Sequence, residues 1–265
     1  MILVAKDAGI YVIKLGTSLI TDVDTNEIRI ETLNSLTDQI ARLNQKKGVV
    51  LVSSGAIGLG LHSLGEKKRP KEMAKKQAAA AVGQNLLMNL YEKLFNKRHV
   101  TLAQVLLTKD GLSNKIGYVN ARNTIKTLLE YGVIPIINEN DTIATEEIQF
   151  GDNDNLASYV AVLVDAEMLV LLTDTDGLYT GDPSVCKNAK RFDVINEITD
   201  EICRSANGTS GACSVGGMCS KIEAAKRALS SNIPVTIASG FDDGVIDKIS
   251  EGRKCGTLFI PKEME

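Results

Sequence analysis

The chain has 265 residues, enough for one large α/β domain with a sizeable buried core. Hydrophobic residues at 44% and charged residues at 24% give the balance of an ordinary globular chain, which excludes disorder, collagen and coiled coil. Thirty Lys plus Arg against 33 Asp plus Glu leave a net charge of −3, so there is no footprint for a nucleic-acid backbone or an anionic membrane, and any phosphate it meets is small and bound locally.

Short apolar, β-branched runs recur at 10–13, 49–52, 100–107, 133–137, 168–172 and 233–237. Their hydrophobicity is continuous rather than alternating, the pattern of strands covered on both faces. After the first run, Leu33, Leu36, Ile40 and Leu43 form one apolar stripe at helical spacing, and Lys46-Lys47-Gly48 reads as a basic last turn with a C-cap glycine. Lys67-Lys68-Arg69 reads as a solvated loop before a long helix over 71–95, alanine-rich from Gln77 to Val82. Further helices are predicted over 115–130, 153–164 and 217–230. Alternating strands and helices without a linker or repeat predict an α/β fold in a single domain, 1–265: an open, mainly parallel sheet sandwiched between helix layers. Such sheets bind ligands at the carboxyl ends of their strands.

Several chemistries are set aside by what is scarce. The five cysteines, at 186, 203, 213, 219 and 255, include no CxxC pair and read as reduced thiols, with neither a disulfide framework nor a zinc site. Two histidines, His62 and His99, are few for a metal site or a Ser-His-Asp triad, and no protein metal site is expected. No apolar run approaches the roughly 18 residues of a membrane span, and the N-terminus has neither a basic leader nor a cleavage site, so a soluble cytoplasmic protein is expected.

The strand-end loops carry the informative residues. Neither the P-loop pattern nor GxGxxG is present. The first strand runs into Lys14-Leu15-Gly16-Thr17-Ser18 and the second into Ser53-Ser54-Gly55-Ala56. Glycine lets a phosphate approach the backbone, a helix start presents free N–H groups, and lysine adds a point charge; ordinary strand-to-helix turns have the same composition. The fourth strand leads to Asn138-Glu139-Asn140-Asp141-Thr142, followed by Gly151-Asp152-Asn153-Asp154-Asn155 ahead of a helix. Packed carboxylates and amides suit an amino group, a metal-bound phosphate or a lysine pair, and Asp152 or Asn153 equally suits the helix N-cap. Thr173-Asp174 follows the fifth strand, and Ser214-Val215-Gly216-Gly217-Met218-Cys219-Ser220-Lys221 opens the last long helix. Lysines at two separate glycine loops fit a grip on one phosphate chain from both sides.

These loops, with Gln77-Ala78-Ala79-Ala80-Ala81-Val82-Gly83-Gln84, Ala121-Arg122-Asn123-Thr124 and Gly256-Thr257-Leu258-Phe259, make nearly the whole chain resemble the amino acid kinase family. The segments 136–142 and 151–154 resemble its glutamate-phosphorylating branch. The resemblance implies transfer of the γ-phosphoryl group of ATP to the side-chain carboxylate of L-glutamate, the opening step of proline synthesis, with Mg²⁺ on the nucleotide. It implies catalytic roles for Lys14 and Lys221, which would neutralise the transferring group, and for Asp154, which would position both ammonium groups. Nucleotide binding would fall to Lys14, Gly16, Gly55, Thr173, Asp174, Val215, Gly216, Gly217, Met218, Cys219, Ser220 and Lys221, and glutamate binding to Ser54, Asp141 and Asn153. A homo-oligomer, dimer or tetramer, and feedback inhibition by proline are also implied. Where the family reads Gly-Thr-Gly-Gly-Met, this chain reads Ser214-Val215-Gly216-Gly217-Met218. A kinase domain without the C-terminal PUA domain of many bacterial relatives is expected.

Two alternatives compete. A sibling kinase acting on acetylglutamate, aspartate, carbamate or a nucleoside monophosphate shares the lysine and glycine loops, but a nucleotide acceptor needs basic residues where the Asp141 region is acidic and amide-rich. A catalytically inactive amino-acid-binding module would lack one of the phosphate lysines, and both are present.

Overall fold

The computed structural model describes residues 9–262 apart from 23, 24, 26, 67, 69, 145–151, 184, 187 and 207–216. Strand β1 (Ile10–Leu15) passes through the single turn α1 (Thr17–Ile20) to the amphipathic helix α2 (Ile30–Leu43), which returns the chain to β2 (Gly48–Ser53). Helices α3 (Ala56–Ser63) and α4 (Met73–Asn96) precede β3 (Leu102–Leu107), and α5 (Lys109–Ser113) and α6 (Lys115–Glu130) precede β4 (Ile134–Glu139). Helix α7 (Asn153–Val164) leads to β5 (Met168–Thr173); then come β6 (Val194–Ile195), α8 (Asp200–Ala206), α9 (Met218–Leu229), β7 (Val235–Ser239), α10 (Val245–Ser250) and β8 (Thr257–Phe259).

The strands form one sheet in the order β3-β4-β2-β1-β5-β7-β8-β6. Every pairing is parallel except β7 with β8. Alternate side chains of the central strands point to opposite faces, and both faces are covered. Val12, Val50, Val52, Leu169 and Leu171 pack with α6, α7 and α9, whereas Tyr11, Ile13, Leu15, Val49 and Leu51 pack with α2, α3 and α4. Continuous hydrophobicity in the sequence reflects this two-sided burial, worth about 1.5–3 kcal/mol for each large side chain.

Strand β1 is the pivot of the winding. Lys14 lies level with Val52 of β2 on one side and Leu171 of β5 on the other. The chain builds outward in both directions from β1, so a crevice opens beyond its carboxyl end, where the loops of β1, β2, β4 and β5 converge.

Three expectations need correction. Gly48 is the first residue of β2, buried against Ile10, while α2 is closed by Asn44 in right-handed helical geometry. Strands β6 and β8, two and three residues long, have no counterpart among the apolar runs. Of the four described cysteines, Cys186, Cys203 and Cys255 are free, but Cys219 is disulfide-bonded, so the reading of reduced thiols fails at that position. No helix among the described residues is long and apolar enough to cross a membrane.

One helix contact fixes the crevice wall. Helices α3 and α4 cross at Gly60 and Gly83; a Cβ on Gly60 would sit 1.8 Å from the Ala79 carbonyl oxygen, and one on Gly83 1.7 Å from that of Ala56. Only glycine permits this approach. It locks α4 onto the helix that starts at the Ser54-Gly55 turn.

Candidate active site

The crevice holds a cavity of about 630 Å³. Asp154, in the first turn of α7, is fully buried at its floor and meets two buried lysines from different loops. Lys14 Nζ lies 2.6 Å from Asp154 Oδ1, and Lys221 Nζ donates to Oδ2 at 3.0 Å. The Ser220 hydroxyl donates to the same Oδ2 at 2.9 Å. Lys14 thus pairs with one carboxylate oxygen and Lys221 with the other. Two ammonium groups against one carboxylate leave this buried cluster with an excess of one positive charge. Desolvating a cation in this way is costly unless an anion joins it.

The ionisation of the cluster follows from its geometry. Burial is the largest influence on Lys14 and lowers its pKa, the Lys221 charge lowers it further, and Asp154 only partly opposes them. Burial alone would raise the pKa of Asp154, but the Lys14 and Lys221 charges outweigh it and hold the carboxyl below its ordinary value. Asp154 is therefore ionised throughout the neutral range.

Glycine turns surround this charge. The Gly16 N–H donates to the Leu172 carbonyl at 3.1 Å, tying the β1 loop to β5, and a Cβ on Gly16 would lie 3.7 Å from Lys14 Nζ. Gly55 caps α3 at φ +98°, a left-handed conformation that glycine adopts without strain. Both line the cavity, as do Thr173 and Asp174 at the end of β5, where the Thr173 hydroxyl donates to Asp174 Oδ1 at 3.1 Å. Gly217 is the N-cap of α9, and its carbonyl accepts from Ser220 at 2.9 Å.

The cavity is also lined by Ser54, Asp141 and Asn153. Asp152 and Asn153 divide the two roles left open by the sequence. Asp152 Oδ1 accepts from the Asn155 N–H at 2.8 Å and caps α7. Asn153 Nδ2 instead reaches the Ser53 carbonyl at 2.9 Å, the Ser54 hydroxyl at 3.0 Å and Asn138 Oδ1 at 3.0 Å.

The structure thus brings Lys14, Gly16, Ser54, Gly55, Asp141, Asn153, Thr173, Asp174 and Lys221 to one cavity, with Asp154 beneath it. Met218 does not line the cavity but packs on the core, and Ser220 acts on Asp154 from behind. Cys219 likewise is absent from the cavity wall. Val215 and Gly216 lie outside the described residues, as does Gly151. Lys76, His62 and Lys68 also line the cavity, without having been singled out as site residues; Lys68 belongs to the run taken as a solvated loop. Nothing local marked them, because His62 and Lys76 reach the site on α3 and α4, which the Gly60–Gly83 crossing joins, and Lys68 on the loop between these helices. Asn138 was visible as part of a polar strand end. Among the described residues no cluster of three or more His, Cys, Asp or Glu could hold a metal ion.

An open parallel sheet with a lysine-rich anion site at its pivot defines a phosphoryl-transfer class, and the amino acid kinase family model matches residues 9–239. The chain belongs to the amino acid kinase family. It is 46% identical over 262 residues to glutamate 5-kinase from Moorella thermoacetica, an alignment covering 98% of this chain and 69% of that one. It is also 46% identical over 252 residues to glutamate 5-kinase from Clostridium acetobutylicum, covering 95% of this chain and 94% of that one. Among solved structures, UMP kinase from Ureaplasma parvum superposes with a TM-score of 0.65 at 17% identity, covering 96% of this chain and 99% of that one. Isopentenyl phosphate kinase superposes with a TM-score of 0.63 at 18% identity, covering 94% and 99%. At such low identity these two speak to the fold alone.

Proposed function

We propose that the protein is an ATP-dependent kinase that phosphorylates the side-chain carboxylate of L-glutamate, giving L-glutamyl 5-phosphate for proline biosynthesis. The observation that carries this reading is the buried Lys14–Asp154–Lys221 cluster, a positive excess in a cavity lined by the Gly16 and Gly55 turns and by Ser54, Asp141 and Asn153. The curated relatives, glutamate 5-kinases over nearly the whole chain, support the choice of acceptor.

The chemistry needs little from a base. Glutamate's attacking oxygen is already anionic, so the enzyme's work is to bring two anions together and stabilise the charge on the transferring group. Lys14 and Lys221 hold that charge from separate loops, and Asp154 keeps both ammonium groups in place without itself taking a proton. The Gly16 and Gly55 turns, Thr173, Asp174 and Lys221 hold the nucleotide. Asp141 takes the α-ammonium of glutamate by a charge-assisted hydrogen bond, while Ser54 and Asn153 orient its carboxylate. Mg²⁺ would be held mainly by the nucleotide phosphates, with the cavity-lining Asp174 carboxylate able to take part, and would supply further charge neutralisation.

The same reading takes residues 1–265 as one domain acting in the cytoplasm, where ATP and glutamate are found. It also takes the protein as a homo-oligomer, dimer or tetramer. Proline resembles cyclised glutamate, so its inhibition would act by competition at the acceptor pocket. The test is phosphoryl transfer to a panel of carboxylate acceptors, trapping acyl phosphate with hydroxylamine. Hydroxamate is expected with glutamate; its formation only with aspartate, acetylglutamate or carbamate refutes the assignment.

A further inference from the structure

Helix α4 presents three polar side chains seven residues apart, Gln77, Gln84 and Tyr91, and all three reach the frame of the acceptor pocket. Seven residues are close to two helical turns, so the three form one seam on the helix. Gln77 Nε2 donates to the Ala144 carbonyl at 3.2 Å. Gln84 Oε1 accepts from Asn138 Nδ2 at 2.9 Å. The Tyr91 hydroxyl lies 2.7 Å from Ser53 Oγ, which donates to the Ser54 carbonyl at 3.0 Å. The seam holds the segment 138–144 at both ends and reaches the Ser54 turn through Ser53.

From this arrangement we infer that Gln77, Gln84 and Tyr91 are positioning residues for the acceptor, setting its affinity without touching it. The inference rests on the proposed glutamate kinase activity. Gln84 is the strongest link because, with the Glu139 N–H, it holds the Asn138 amide facing one way. By taking the Asn138 Nδ2 hydrogen it turns Asn138 Oδ1 toward the Asn153 amide at 3.0 Å and the Glu139 N–H at 2.9 Å. Asn153 in turn bonds the Ser54 hydroxyl. Reversing one amide in this chain would set donor against donor at each following step.

Gln84 is only half satisfied in this frame. Its side chain is buried and its Nε2 has no hydrogen-bond partner, an arrangement that disfavours folding relative to an apolar side chain of the same shape. Gln84→Met removes that orphaned donor and creates another at Asn138 Nδ2, so stability should change little while the amide chain loses its direction. The seam is also rigid with the site, since the Gly60–Gly83 crossing joins α4 to the helix that begins at the Ser54-Gly55 turn.

The experiment compares Gln84→Met, Gln77→Glu and Tyr91→Phe with wild type by steady-state kinetics, glutamate binding calorimetry and thermal melting. Gln77 is only partly buried, so Gln77→Glu tests the seam even if Gln84→Met fails to fold. Losing one orienting hydrogen bond should raise the KM and Kd for glutamate about tenfold in the Gln84 and Gln77 variants, with KM for ATP within about twofold and melting near wild type. A smaller rise in the same direction is expected for Tyr91→Phe. Unchanged glutamate affinity, an equal rise in both KM values, or losses that follow melting temperature would overturn the inference. If wild type instead uses another acceptor, the proposed activity falls, and the seam stands or falls by the same comparison with that acceptor.

Discussion

Replacing Asp154 by Asn changes one oxygen into an amide at the fully buried point where two lysines meet. In the wild-type protein Lys14 lies 2.6 Å from one carboxylate oxygen and Lys221 3.0 Å from the other. The variant raises the excess charge of the cluster from one to two and aims an N–H₂ group at one ammonium. Removing one partner from a buried ion pair destabilises by about 3–5 kcal/mol, which lowers Tm by roughly 6–20 °C for a chain of this size. The loss in kcat should be about 10²–10³, the typical effect of displacing one charge-stabilising group. A phosphate chain brings negative charge to the same point, so ATP should raise the Tm of Asp154→Asn more than that of wild type. Melting curves with and without ATP, together with hydroxamate-based kcat, test both halves. A variant with wild-type Tm and kcat within about threefold would refute the positioning role of Asp154.

Lys14→Ala and Lys221→Ala should each lose about 10²–10³ in kcat, with the double variant losing less than the product because both serve one group; full activity in a folded single variant removes that lysine from the mechanism. Asp141→Asn should raise the glutamate KM far more than the ATP KM, and equal effects on both would contradict its contact with the α-ammonium. Because burial lowers the Lys14 pKa, the alkaline fall in kcat should set in below the ordinary lysine value of 10.5. Stability carries the opposite sign, since the unfolded chain binds the Lys14 proton more tightly and the folded state therefore gains as pH rises toward 10.5, a gain missing from Lys14→Met. On the acid side Asp154, held below its ordinary value of 3.8, should stabilise the fold above that pH and lose this contribution as pH falls through its lower folded value, which acid titration of wild type against Asp154→Asn measures. Chelating Mg²⁺ should abolish phosphoryl transfer while leaving the melting curve of the nucleotide-free protein unchanged; activity that persists without divalent metal would remove the ion from the site.

The sequence by itself determined the layers of this protein. Strands buried on both faces need continuous apolar runs, and six of the eight strands announced themselves that way. The helices over 115–130 and 153–164 were legible to the residue, because a polar cap or a turn bounds each apolar stripe. Strands β6 and β8 were not, being short segments whose stability comes from distant partners rather than from local pattern. The loops that hold the candidate site were visible as glycine and carboxylate clusters, but residue type alone could not say which of Asp152 and Asn153 caps the helix, nor that Lys14 and Lys221, 207 positions apart, share one carboxylate. The glutamine-tyrosine seam of α4 lay in plain view at a seven-residue interval, yet its meaning depends on what faces it. Tertiary structure decided these matters because hydrogen-bond direction, burial and the sharing of charge are properties of pairs, and the chain fixes its pairs only when the sheet brings distant loops to one edge.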